Sequence, residues 1–178
     1  MDRDQSGALT LRLLTGQPTE MEALQRVLEA APTYFLRVAG QPPGRAEAQS
    51  TYTGLPPEKT YADKFVWGLY AGEAMIGCAD VIRGYPARQK AVIGLLLLAQ
   101  PWQRRGLGRA FAVLVDEAIG GWPEIECLRL GVADSNSGAH AFWHKLGYRE
   151  TGEVKAAPPG FSAAMRVMEK PLRRDAVG

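Results

Sequence analysis

From residue 97 to residue 109 the chain reads Leu-Leu-Ala-Gln-Pro-Trp-Gln-Arg-Arg-Gly-Leu-Gly-Arg. An apolar run enters a glycine turn that opens a helical pattern. The first N–H groups of a helix lack intrahelical partners, so they point outward and favour an anion, with the helix dipole behind them. Gly106 and Gly108 let the backbone approach phosphate oxygens with no Cβ in the way. Arg104, Arg105 and Arg109 add guanidinium groups that can pair with phosphate. The same residues also suit a tight turn with solvated arginines, so alone they mark a phosphate-binding helix start and nothing finer.

Groups able to move protons are sparse nearby. Residues 95–98 are all leucine. Asp80 and Glu73 are the alternative bases, with surface solvation as the competing explanation of each, and a base acting through water is also open. His140 and His144 stand four apart, yet the acidic neighbour of a His-Glu-x-x-His site is missing and no third ligand stands out, so no metal is expected. Tyr34, Tyr52, Tyr61 and Tyr85 lie in or beside irregular segments. Tyr34 is taken as the substrate-binding candidate among them, against ordinary amphipathic packing.

The elements that must position these residues follow from periodicity. Residues 8–14 alternate as a first strand, and residues 19–22 have the Thr-x-x-Glu form of a capping box ahead of a helix that Pro32 should end. Residues 39–60 read as a loop, or a loop around a short helix. Residues 64–70 and 74–83 suggest an antiparallel hairpin. Residues 91–99 form a nearly continuous apolar strand, expected at the sheet centre and buried on both faces. A helix from Leu107 is closed by Gly120 and Gly121, a strand follows at 127–133, and a helix at 137–146 stops at Gly147. Two strands near 148–154 and 163–170 complete a mixed α/β pattern.

Gln103-x-x-Gly106-x-Gly108 resembles the pyrophosphate-binding signature of GNAT acyltransferases. Residues 136–148, Asn-Ser-Gly-Ala-His-Ala-Phe-Trp-His-Lys-Leu-Gly-Tyr, resemble that family's later Asn-x-x-Ala-x-x-Phe-Tyr-x-Lys-Leu-Gly-Phe segment. Together they imply the GNAT acyl-CoA N-acyltransferase fold, a central mixed β-sheet flanked by helices, and direct acetyl transfer from acetyl-coenzyme A to an amine through a tetrahedral intermediate. The resemblance implies that the strand ending at Leu98 and Ala99 splays from the strand at 127–133, leaving a wedge for pantetheine. Amides near Leu98 and Ala99 would bind that arm, and the turn Gln103, Arg104, Arg105, Gly106, Leu107, Gly108 and Arg109 would hold pyrophosphate. Asn136 would hydrogen-bond the cofactor, cap its helix, or both. Trp143 departs from the pattern. Relatives carry Tyr there as the acid for the leaving thiolate, whereas an indole N–H is a far poorer acid. Trp143 is then a wall of the cofactor tunnel or a core aromatic, and the thiolate takes its proton from water or the substrate ammonium.

Composition limits the rest. The chain has 178 residues and a formal charge of +2, which suits one domain over residues 8–170 with tails at 1–7 and 171–178 and is too weak to attract nucleic acid or membrane. No secretory signal or membrane-length apolar run is read, and the two cysteines lack paired spacing, so a cytoplasmic protein is expected. The expected partner is a small-molecule or peptide amine, with a homodimer as an option and without nucleic acid, membrane or metal. The competing reading is a non-catalytic acyl-coenzyme A binding or sensing protein of the same fold.

Overall fold

The computed structural model describes residues 8–172; the tail expected at 1–7 lies outside them, as does the tail expected at 171–178 apart from Pro171 and Leu172. Seven strands form one sheet: β1 (Leu9–Leu13), β2 (Lys64–Ala71), β3 (Ala74–Arg83), β4 (Lys90–Leu98), β5 (Cys127–Ala133), β6 (Arg149–Lys155) and β7 (Met165–Pro171). Their order is β1-β2-β3-β4-β5-β7-β6, which puts β4 in the middle. All neighbours are antiparallel except β4 and β5. A parallel pair needs a crossover, and helix α4 (Leu107–Gly120) supplies it.

One face of the sheet carries α1 (Pro18–Glu29), α2 (Pro32–Ala39) and α3 (Glu47–Thr53). Leu24, Leu28, Phe35 and Ala48 pack there on Val66, Cys78 and Leu97. The other face carries α4 and α5 (Ser137–Lys145), with Phe111, Val115, Ile119 and Trp143 set against Leu69, Val81, Ile93 and Leu128. Each such large side chain, fully buried, contributes about 1.5–3 kcal/mol. Helix α1 starts earlier than the predicted capping box: Pro18 takes the first turn, where its missing N–H is no loss, and Glu20 accepts hydrogen bonds from the N–H groups of Thr15 and Gln17. Pro32, expected only as a stop, also opens α2 for the same reason, and Gly40 ends α2 in the left-handed region at φ 71°.

The central strand departs from its expected burial on both faces: Gly94 is exposed and Leu95 and Leu96 are half-buried. Asp80 of β3 pairs with Leu95 while Val81 pairs with Ile93, which leaves Gly94 as an extra residue on β4. This bulge resets the alternation of side chains. Before it, Ala91 and Ile93 face α4; after it, Leu96 and Leu98 do, while Leu95 and Leu97 join the α1–α3 side.

No helix among the described residues is long and apolar enough to cross a membrane. On the α1–α3 side of the C-terminal strands the sheet is polar. Arg129 of β5, 7% exposed, reaches Glu153 of β6 at 2.6 Å and Glu169 of β7 at 2.8 Å, and Lys90 of β4 reaches Glu169 at 2.5 Å.

Gly77 fixes how β3 meets the end of β4. A Cβ there would lie 2.8 Å from the Leu97 carbonyl oxygen and 2.9 Å from Leu98 Cδ2. Gly77→Val is expected to cost about 2–3 kcal/mol by overpacking, lowering the melting midpoint by about 5–10 °C. A thermal melt with an unchanged midpoint would show that this contact is not tight.

Candidate active site

The sheet forks at its centre. β4 and β5 pair only through residues 90–93 and 127–130. Beyond that point β4 continues along β3 to Leu98, and β5 continues along β7 to Ala133. The Gly94 bulge stands where the pairing stops, in keeping with the bend that a bulge imposes. Ala99 N–H donates to the Ile76 carbonyl at 2.9 Å, so strand alternation turns the backbone groups of Leu96 and Leu98 away from β3 and toward the gap. A cleft of about 820 Å3 occupies the fork.

The cleft runs to the start of α4. After a tight turn at Gln100–Trp102, Arg104 and Gly106 adopt left-handed φ of 60° and 77°. Gly106 is the N-cap of α4; it supplies no side-chain cap, and the first turn holds no acid. The opening amides are therefore left to bind an anion. Gln103 turns inward, its Nε2 donating to the Leu98 carbonyl at 2.7 Å, and so ties the turn to the end of β4. Arg104, Arg109 and Lys145 line the cleft, and no carboxylate does among the described residues.

On the α1–α3 side a second cavity of about 470 Å3 meets the cleft at Tyr34, Val38, Gly94 and Leu95. Its lining has the opposite charge, with Glu47 and Asp80 but no Lys or Arg among the described residues. Lys64 Nζ holds Asp80 Oδ1 at 2.7 Å. The other oxygen, Oδ2, lies 3.1 Å from where a Cβ on Gly94 would stand, so it faces the junction of the two spaces. Burial raises the Asp80 pKa above the usual carboxylate range, and Lys64 offsets this in part by charge and hydrogen bond. Burial, with Cys78 and Glu47 nearby, pushes the Tyr34 hydroxyl up to about 12, so it stays a protonated donor at neutral pH.

Of the sequence-assigned cofactor residues, Leu98, Gln103, Arg104, Gly106, Gly108, Arg109, Asn136 and Trp143 line the cleft. Ala99, Arg105 and Leu107 do not. The Ala99 amide is engaged by Ile76, the Arg105 guanidinium lies 5.3 Å from the Trp102 ring, and Leu107 packs against the core. Gly108 makes room for a neighbour, since a Cβ there would meet the Phe142 ring at 3.3 Å. Asn136 caps α5 through its Oδ1, which accepts from Ala139 N–H and from Arg37, leaving Nδ2 as its side-chain donor to a ligand. Trp143 is at once core and wall, edge-on to Phe142 and Tyr148. Tyr34 stands at the junction. Asp80 is brought to it, whereas Glu73 is 96% exposed in the β2–β3 turn beside Arg12 and lines neither space. His140 sits by Glu150 at 3.8 Å, and no cluster of three metal-ligating side chains occurs among the described residues.

Sequence reasoning passed over Gly94, Lys64, Glu47 and Lys145. A lone glycine in an apolar strand is a bulge signal, and the other three are ordinary surface residue types until the fold assembles them.

The forked sheet, the anion-facing helix start and the residues between them define an acyltransferase scaffold. The chain belongs to the acetyltransferase (GNAT) family, whose model matches residues 24–148. Among solved structures it is similar to an acetyltransferase from Thermus thermophilus, at 27% identity over 92% of this chain and 97% of that one, with a TM-score of 0.69. It also resembles AAC(6')-Ib in complex with ribostamycin and coenzyme A, at 20% identity, 92% and 93% coverage and a TM-score of 0.71. A third is the PaiA N-acetyltransferase from Thermoplasma acidophilum in complex with coenzyme A, at 18% identity, 92% and 99% coverage and a TM-score of 0.64. No curated protein sequence matches the chain.

Because the Asp80 pKa is raised on folding, its contribution to stability is full below the unfolded value and is lost as pH rises through the folded value. Removing Lys64 moves that folded value higher still. Lys64→Met is therefore expected to cost about 3–5 kcal/mol at pH 7 and clearly less at pH 4, where the carboxyl takes up a proton. Urea unfolding at the two pH values checks this, and equal losses would refute the coupling.

Proposed function

We propose that residues 8–170 act as one N-acetyltransferase domain that passes the acetyl group of acetyl-coenzyme A, held in the cleft, to an amine in the adjoining cavity. The observation that carries this reading is the division of charge across the junction: Arg104, Arg109 and Lys145 line one space, Glu47 and Asp80 the other. An anionic donor and a cationic acceptor are each drawn to their own side of one constriction. Two free cysteines, Cys78 buried and Cys127 half-buried, suit a reducing cytoplasm.

The residues present fit the cofactor. The opening amides of α4, with Arg104 and Arg109, take the pyrophosphate. The gap-facing groups of Leu96 and Leu98 and the Asn136 amide pair with the pantetheine arm, and Trp143 closes one wall. When bound, acetyl-coenzyme A supplies an activated thioester, so that a C–N bond forms to the acceptor as the C–S bond breaks and the thiol leaves. Asp80 Oδ2 takes the ammonium proton, directly or through one water, while Lys64 keeps that carboxylate in place. Tyr34 donates a hydrogen bond at the junction. The surplus proton left on the acceptor nitrogen passes to the sulfur, so Trp143 does not need to act as an acid.

A Cβ at Gly106 would meet nothing within 4 Å but would sit at φ 77°, so a branched side chain there changes the turn and the space it faces. Gly106→Val is expected to weaken coenzyme A binding by tenfold or more, about 1.4 kcal/mol, with the circular dichroism spectrum kept; unchanged affinity in calorimetry would remove the cofactor assignment. Asp80→Asn should lower kcat/KM by about 10²–10⁴-fold and abolish an acidic limb that lies above the usual carboxylate range. Full activity in that variant would exclude Asp80 as the base. Trp143 in the place of the family's tyrosine favours the second reading, acyl-coenzyme A binding without turnover. That reading predicts tight binding and no thiol release with any amine.

A further inference from the structure

The wall of the acceptor cavity is built from two distant parts of the chain, the end of α2 with the segment leading to α3, and the segment between β6 and β7. These parts are tied together. Ser162 donates twice to the Val38 carbonyl, from its backbone N–H at 2.8 Å and from its hydroxyl at 3.1 Å. The Ser135 hydroxyl donates to the neighbouring Arg37 carbonyl at 3.0 Å, and Asp134 N–H to the Ala164 carbonyl at 3.0 Å. The last carbonyls of α2, which have no partner within their helix, thus become the anchor of the opposite wall.

A cavity of about 470 Å3 behind this tie has the size of a small-molecule site. The tie holds the end of α2 against the segment between β6 and β7, so these two walls of the cavity are fixed to one another. Phe35, Val38, Leu95 and Phe161 make much of the wall apolar. The two carboxylates differ in what balances them. Asp80 is matched by Lys64, while Glu47 accepts a hydrogen bond from Gly44 N–H at 3.2 Å and meets no Lys or Arg on the described lining. Glu47 is therefore the carboxylate of this lining without a described Lys or Arg partner on it.

We infer that the acceptor is a compact primary amine on an apolar body, drawn in as its ammonium by Glu47, and that the tie between Ser162 and Val38 excludes polypeptide amines. This rests on the acetyl-transfer reading. The apolar part of the wall rewards a hydrocarbon or aromatic body by burial, whereas further ammonium groups set against Phe35, Val38, Leu95 and Phe161 would shed water with no unpaired anion besides Glu47 on the described lining. Asp80 is already paired with Lys64, so Glu47 is the carboxylate left to attract the ammonium, which places the discrimination in binding and has it read in KM.

The test measures thiol release from acetyl-coenzyme A by the intact protein with phenethylamine, spermidine and a short peptide bearing a free N-terminal amine. Phenethylamine is expected to exceed both others by about 100-fold in kcat/KM. Glu47→Gln is expected to raise its KM about tenfold, with the loss falling on KM rather than kcat and with coenzyme A affinity retained. Preference for the peptide or for spermidine, or a KM unmoved by Glu47→Gln, overturns the inference and leaves acetyl transfer standing. Tight coenzyme A binding with no thiol release from any of the three overturns this inference, and the same result across a broad panel of amines overturns acetyl transfer itself.

Discussion

The organisation of this protein depends on the point at which two parallel strands stop exchanging hydrogen bonds. β4 and β5 share pairing for only four residues each. Unpaired strand groups are costly when buried, and a sheet that parts in its middle normally admits water or collapses. Here each strand keeps its other neighbour, β3 for β4 and β7 for β5, so the backbone stays half-satisfied while the gap stays open. The extra residue at Gly94 makes this geometry compatible with a core on both faces, because it exchanges the sides on which the leucines of β4 point.

From that fork the site follows with few further requirements. The strand that leads out of it runs through a short turn into α4, so the helix start and the gap are held in one frame, and Gln103 fastens the turn to the last carbonyl of β4. The cleft and the cavity on the α1–α3 side then meet at the bulge, where Gly94 and Leu95 line both beside Tyr34 and Val38. Opposite charge on the two linings follows from which elements supply them. Cations come from the α4 start and α5, and carboxylates come from α3 and β3.

Much of this was legible in the sequence because it depends on local rules. Periodicity located all seven strands and both helices of the α4 side, and the glycine turn could be read as a helix start facing an anion. Asn136 was readable as a cap because its side chain bonds three residues onward. The acceptor side was obscure for a physical reason. Pro32 carries the same information whether it ends one helix or begins the next, and α3 is a seven-residue piece held by tertiary contact rather than propensity. Asp80 looked like a surface carboxylate because Lys64, which accompanies it into the interior, lies sixteen residues earlier on a neighbouring strand. The Ala99 amide turns to the Ile76 carbonyl rather than to the gap, a direction that alternation along the strand shows only once the bulge is known.

The charged chain of Lys90, Glu169, Arg129 and Glu153 has a meaning beyond neutralising a polar face. It runs across β4, β5, β7 and β6 at the level of the paired residues, the closed end of the fork. Beyond that level β4 stays with β3 and β5 stays with β7, so each arm of the fork is carried by a different neighbour. Lys90 and Arg129 lie in the four-residue stretch where β4 and β5 still pair, and through Glu169 both are joined to β7 as well. These ion pairs thus add side-chain connections across four strands to the short seam from which the two arms of the sheet diverge.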